Sequence, residues 1–149
     1  MPAMPDGALV ARGHQLVTRT FAFIGPEVAD PTKRYAGNSL ACQNCHLDAG
    51  TNRTAMPLVG IVRTYPKLSE RSGRTITLIE RLDECMMRSM NGRALPESSQ
   101  EMQAFLAYLR FIGEPQAEPL ATTSAAPLPP DAARGSAVFE KNCVACHRE

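Results

Sequence analysis

Two copies of one five-residue pattern constrain this chain more than any other feature: Cys42-Gln43-Asn44-Cys45-His46, and Cys143-Val144-Ala145-Cys146-His147 close to the end. In each copy two thiols are separated by two residues and an imidazole follows directly. That spacing lets each thiol add to one of the two vinyl groups of haem, while the histidine reaches the iron as its proximal ligand. The cofactors expected are therefore two covalently bound haem c groups. Cys42, Cys45, Cys143 and Cys146 would carry the thioethers, and His46 and His147 would bind the metal. A zinc site made from two such cysteine pairs usually spaces them ~15–20 residues apart; here most of the chain and a proline-rich stretch lie between them. A thioredoxin-like redox pair needs a βαβ setting, and none is visible.

Composition narrows the scaffold. Aromatic content is 5%, Trp is absent and β-branched alternation is scarce, so the fold class expected is all-α. With 16 basic and 15 acidic residues the net charge is +1, which gives no general argument for nucleic acid or an anionic membrane surface. No apolar run approaches the ~20 residues of a membrane span. Residues 1–6 lack a basic patch followed by an apolar stretch, so no export signal is visible there.

The pattern along the chain predicts a helix over residues 7–23, ended by Gly25-Pro26, and a loop up to Leu40. Structure resumes at about Leu40 and carries the first motif. Residues 50–73, broken by Pro57, Gly60 and Pro66, are expected to be mostly irregular. Thr77 and Glu80 have the spacing of a capping box, opening a helix to about Met90 whose apolar stripe includes Leu78, Leu82, Cys85 and Met86. Ser98 and Glu101 form a second such pair, opening a helix through Phe105 and Leu109 to Gly113. Pro115, Pro119, Pro127, Pro129 and Pro130 then mark a linker over 114–131 between a first domain, 1–113, and the start of a second, 132–149. The eighteen or so residues after the linker are too few to enclose a haem, so the second domain is expected to be incomplete. His14 is expected at the surface or core edge, and Met56 and Met102 in the core.

Several stretches together resemble the thiosulfate dehydrogenase family of tetrathionate-forming dihaem cytochromes. They are Tyr35 to Leu40 leading into Cys42 to Gly50, Pro57 to Gly60, Tyr65-Pro66, Arg81 through Cys85 to Gly92, and Glu101-Met102 to Tyr108. Gly135 to His147 resembles the start of an ordinary class I cytochrome c domain. The resemblance implies a cytochrome c-like haem domain followed by a truncated second cytochrome c domain, in an exported, periplasmic protein. It also implies that Cys85 is the distal ligand of the first haem. A thiolate there stabilises ferric iron and puts a reactive sulfur beside the reaction site. The alternative reading of Cys85 is an inert core thiol on the apolar face of its helix, and Met86, Met87 and Met90 are competing ligands.

By the same resemblance Arg71, Arg81 and Ser89 line the substrate site with Cys85. Charge supports an anion there: residues 53–93 hold eight basic and four acidic side chains, a local excess of +4 around Cys85. The implied activity is oxidation of two thiosulfates to tetrathionate, with electrons passed to a cytochrome c-type acceptor. Two alternatives stay open: the thiosulfate-conjugating cytochrome subunit of a sulfur-oxidation complex, and a plain dihaem electron-transfer protein.

Overall fold

The computed structural model describes residues 6–114 and 131–142, with side chains to residue 140. The chain divides into two units, Met1–Pro119 and Leu120–Glu149. The cysteines and histidine of the second motif lie outside the described residues, as does most of the expected linker.

In the first unit, α1 spans Gly7–Thr18 and begins where the Asp6 carboxylate accepts from the Ala8 N–H at 2.8 Å. The single helix expected over 7–23 is in fact two. Arg19, at φ −141°, breaks the register, and a short α2 follows over Thr20–Ile24. The break turns Thr20 fully inward, and its hydroxyl donates to the Leu16 carbonyl at 2.6 Å.

The largest part of the core is built on α4, Gln100–Gly113, preceded by α3, Leu78–Arg88. Ten residues of α4 are buried, among them Met102, Phe105, Leu106 and Leu109, so this helix is covered on most of its circumference. Its N-cap is Ser99, whose hydroxyl accepts from the Met102 N–H, and not Ser98 as the spacing to Glu101 suggests. Helix α1 packs against α4 at Gly13, where a Cβ would overlap the Ala104 carbonyl oxygen and the Tyr108 Cβ. Leu16, Val17, Phe105 and Leu109 share the same apolar cluster.

Between these helices the chain is mostly turns, with short 3₁₀ segments over Cys42–Asn44, Asp48–Gly50 and Ile61–Thr64. The segment expected to be irregular holds one departure. Strands β1, Lys67–Ser69, and β2, Arg74–Ile76, pair antiparallel with Leu68 opposite Thr75. Among the described residues the fold is thus helical with one small hairpin. Met102 is a core residue as expected, but Met56 is 58% exposed, with φ +44°. His14 is exposed and meets the Tyr108 ring edge-on at 5.6 Å.

In the second unit α5 spans Ala132–Asn142. The Asp131 carboxylate accepts from the Arg134 N–H at 2.9 Å. Among the described residues no helix is long and apolar enough to cross a membrane.

Candidate haem and anion site

The first motif is a turn folded on its own backbone. The Cys42 carbonyl accepts from the N–H groups of both Cys45, at 3.2 Å, and His46, at 2.9 Å. The Asn44 side chain closes the turn from outside by accepting from the Ala41 N–H at 2.7 Å. The turn docks on the junction of α1 and α2, where Gln43 Nε2 donates to the Thr18 carbonyl and the Cys42 N–H donates to Thr20 Oγ1. Cys42 is half-buried, Cys45 is exposed, and both are free thiols. Burial pushes the Cys42 thiol above its ordinary value of 9.0, and the Thr20 hydroxyl opposes that rise.

His46 is oriented by the loop that follows it. Its Nδ1 lies 2.6 Å from the Met56 carbonyl oxygen. A carbonyl can only accept, so Nδ1 carries the hydrogen and Nε2 keeps its lone pair for a metal. This is the arrangement in which a backbone acceptor fixes both the tautomer and the ring orientation of a ligating histidine. The loop that brings Met56 back is sharply curved, with Asp48, Ala49, Gly50 and Met56 all at positive φ. Tyr108 pins it to α4, its hydroxyl donating to the buried Ala49 carbonyl at 2.9 Å.

Helix α3 presents Cys85. Its capping box forms as the sequence predicts: Thr77 Oγ1 accepts from the Glu80 N–H at 3.2 Å, and Glu80 accepts from the Thr77 N–H at 2.7 Å. That backbone donor, followed by Arg74, holds the Glu80 carboxyl below its ordinary value. The far end of α3 is clamped to the 35–38 segment. Asn38 donates to the Ser89 carbonyl at 3.0 Å, the Gly37 N–H to the Met90 carbonyl at 2.8 Å, and the Arg93 N–H to the Tyr35 carbonyl at 2.9 Å. A Cβ at Gly37 would overlap the Asn91 carbonyl oxygen, so this close approach needs glycine.

Cys85 is half-buried, less covered than its place on the apolar stripe suggests. Arg81 Nη1 donates to its Sγ at 3.1 Å and lies 3.7 Å from Glu84 Oε2. Met86 and Met90, two of the competing ligands, are buried within the core cluster, whereas Met87 is exposed.

The other expected site residues are placed differently. Ser89 is the C-cap of α3, one turn beyond Cys85, with an exposed side chain and its carbonyl held by Asn38. Arg71 sits exposed in the turn between β1 and β2. Among the described residues no hydrogen bond or ion pair joins Arg71 to Arg81 or Cys85.

The basic residues of the 53–93 segment divide by what they touch. Arg63 donates to the Gly113 carbonyl, Arg74 pairs with Glu80, and Arg93 donates to the Arg34 and Thr32 carbonyls. These three hold the fold. Arg53, Arg71 and Arg88 make no hydrogen bond or ion pair among the described residues and remain open to solutes.

A cavity of about 240 Å³ lies beside the start of α3, lined in part by Val62, Tyr65, Leu78, Leu106 and Arg110. None of the expected site residues lines it.

Two free thiols in one turn, followed by an imidazole whose Nε2 is available, fit a covalently bound haem. Within this helical frame they define the class: a cytochrome c domain. The model for the SoxA/TsdA cytochrome c domain matches residues 32–114, and the chain belongs to that family.

Similar proteins are named for one activity. The thiosulfate dehydrogenase of Allochromatium vinosum is 36% identical over 97% of this chain and 55% of that protein. That of Psychrobacter arcticus is 31% identical over 97% of this chain and 44% of its own length. The solved thiosulfate dehydrogenase (TsdBA) from Marichromatium purpuratum, in its as-isolated form, superposes with a TM-score of 0.67 at 25% identity. That alignment covers 97% of this chain and 33% of the other. The chain spans about half the length of the curated relatives it matches.

Sequence reasoning missed Thr20, Asn38 and the Met56 carbonyl. The glycine and asparagine of Tyr35-Ala36-Gly37-Asn38 were visible as part of a resemblance, but not as the clamp on α3. A backbone carbonyl such as that of Met56 leaves no mark in side-chain identity at all.

Proposed function

We propose that this chain is the substrate-binding part of a periplasmic thiosulfate dehydrogenase, which joins two thiosulfate dianions into tetrathionate and delivers the electrons to a cytochrome c-type acceptor. One haem would be held by Cys42, Cys45, His46 and Cys85, and a second by Cys143, Cys146 and His147. When bound, haem supplies one-electron acceptors, and a pair of them accommodates the two electrons of the reaction.

The observation that carries the reading is the 3.1 Å contact between Arg81 Nη1 and Cys85 Sγ. A guanidinium in that position stabilises a thiolate. Its remaining N–H groups offer a fork that suits a sulfonate-like anion. Two dianions repel one another, so fixed positive charge must hold them together before their sulfurs can bond.

In the proposed sequence the Cys85 thiolate forms a bond to the outer sulfur of the first thiosulfate, and two electrons leave the new sulfur–sulfur pair. The outer sulfur of the second thiosulfate then attacks that adduct. Cys85 departs as thiolate and tetrathionate is released, with no further change in electron count. Arg81 holds each anion in turn, and Ser89 and Arg71 complete the binding surface. The names of the similar proteins favour this reading over the thiosulfate-conjugating subunit.

The test is turnover by the full-length holoprotein, with thiosulfate as the sole donor and tetrathionate quantified as product. Arg81→Ala is expected to lower kcat/KM by ~10²-fold, the usual cost of removing one preorganised donor to developing charge. Haem content should be unchanged. Wild-type protein that is reduced by other donors but forms no tetrathionate would refute the assignment.

A further inference from the structure

The acidic side chain next to Cys85 has a part in the anion site that a net count of charges hides. We propose that Glu84 is the counter-charge of that site: it partly neutralises Arg81 and thereby sets how tightly anions are held beside Cys85. The inference rests on the reading of Arg81 as the residue that holds the substrate anion, and deepens it.

Arg81, Glu84 and Cys85 stand three and four residues apart on α3, so their side chains share one face of the helix. A single nitrogen of the guanidinium is divided between the other two. Nη1 donates to Cys85 Sγ at 3.1 Å and lies 3.7 Å from Glu84 Oε2. The longer distance makes an ion pair without a hydrogen bond, so Glu84 attracts the guanidinium but does not fix its direction. The Glu84 side chain is 21% exposed and that of Arg81 41%. The pair therefore stands at the edge of solvent, where a dissolved anion can reach it.

The other acidic residues of the 53–93 segment act elsewhere. Glu80 accepts from the Thr77 N–H and pairs with Arg74, and Asp83 accepts from the Leu95 N–H at 2.9 Å. Glu70 lies exposed in the turn between β1 and β2. Among the described residues Glu84 has Arg81 as its ion-pair partner, and no other carboxylate is paired with that guanidinium.

An anion held by Arg81 is also repelled by the carboxylate beside it. The repulsion scales with the charge of the anion, so a dianion feels it twice as strongly as a monoanion of the same shape. A guanidinium without this neighbour would capture thiosulfate more tightly, and would also retain the tetrathionate formed there. Glu84 keeps that hold weak enough for the product to leave.

The experiment uses the full-length holoprotein as wild type and Glu84→Gln, which removes the charge and keeps the size and an acceptor oxygen. The probes are sulfate, a tetrahedral dianion, and perchlorate, a tetrahedral monoanion; neither can form the sulfur–sulfur bond. Each is measured as a competitive inhibitor of thiosulfate oxidation at ~0.01 M ionic strength, where screening is weak. Glu84→Gln is expected to lower the inhibition constant about twofold for perchlorate and about fourfold for sulfate, the square that doubled charge demands. The haem absorption spectrum should not change.

Both constants come from one preparation, so their ratio does not depend on the yield of folded protein. Unchanged constants would overturn the proposal, as would equal changes for the two anions. Raised constants would overturn it too, by making Glu84 a residue that only orients Arg81. Arg81→Ala tests the reading beneath: it is expected to raise the sulfate constant, and a value equal to that of wild type would refute the anion site itself.

Discussion

The phenol of Tyr108 reaches from α4 to the turn after His46, where its hydroxyl donates to the buried Ala49 carbonyl. Tyr108→Phe would leave that carbonyl without a partner, a loss of roughly 1–3 kcal/mol, read as a lower midpoint in denaturant unfolding. Burial also pushes the Tyr108 hydroxyl from its ordinary 10.0 up to about 12. The folded state then holds a proton that the unfolded chain releases, so this contribution is complete below pH 10 and is lost as pH rises towards 12. Wild type should lose stability across that window and Tyr108→Phe should lose less, as equilibrium unfolding at several pH values would reveal. At this scale the residues of the first motif were legible because their chemistry resides in side-chain identity, and the cytochrome c family match supports that reading. The partners that orient them were not, since a Met56 carbonyl and a Thr20 hydroxyl acquire meaning only from long-range packing.

The helices were legible where caps and apolar periodicity agreed, as in α3 with its Thr77–Glu80 box. They were misjudged where one signal stood alone. Adjacent Ser98 and Ser99 offer the same capping chemistry, and packing chose Ser99. The break at Arg19 carries no proline or glycine to announce it. The hairpin has strands of three residues, too short for alternation to register. The contact between α1 and α4 depends on Gly13, and here two effects oppose one another. Gly13→Ala would gain ~1 kcal/mol of helix propensity. The added methyl would meet the Ala104 carbonyl, a backbone atom that cannot rotate away. Overpacking of this kind costs roughly 1–3 kcal/mol, so the net expectation is destabilisation, seen as a lower thermal midpoint by circular dichroism. A raised midpoint would mean that the two helices separate easily.

Across the whole molecule charge is nearly balanced, yet residues 53–93 carry an excess of +4. Part of it is spent on structure through Arg63, Arg74 and Arg93. Arg81 lies at Cys85, and under the proposed function Arg53, Arg71 and Arg88 would add to its positive field. Salt screens such a field, whose reach shrinks from ~30 Å at 0.01 M to ~8 Å at 0.15 M ionic strength. Raising ionic strength over that range should therefore increase KM for thiosulfate severalfold with little change in kcat. An unchanged KM would place the anion site away from these arginines. The central claim concerns the Cys85 sulfur, and its most direct test is stopped-flow reduction of the haem by thiosulfate in wild type and Cys85→Ala, matched for haem content. The account predicts rapid reduction in wild type and a loss of ~10³-fold or more in the variant, as expected when a nucleophile is removed. Equal rates in the two proteins would contradict it.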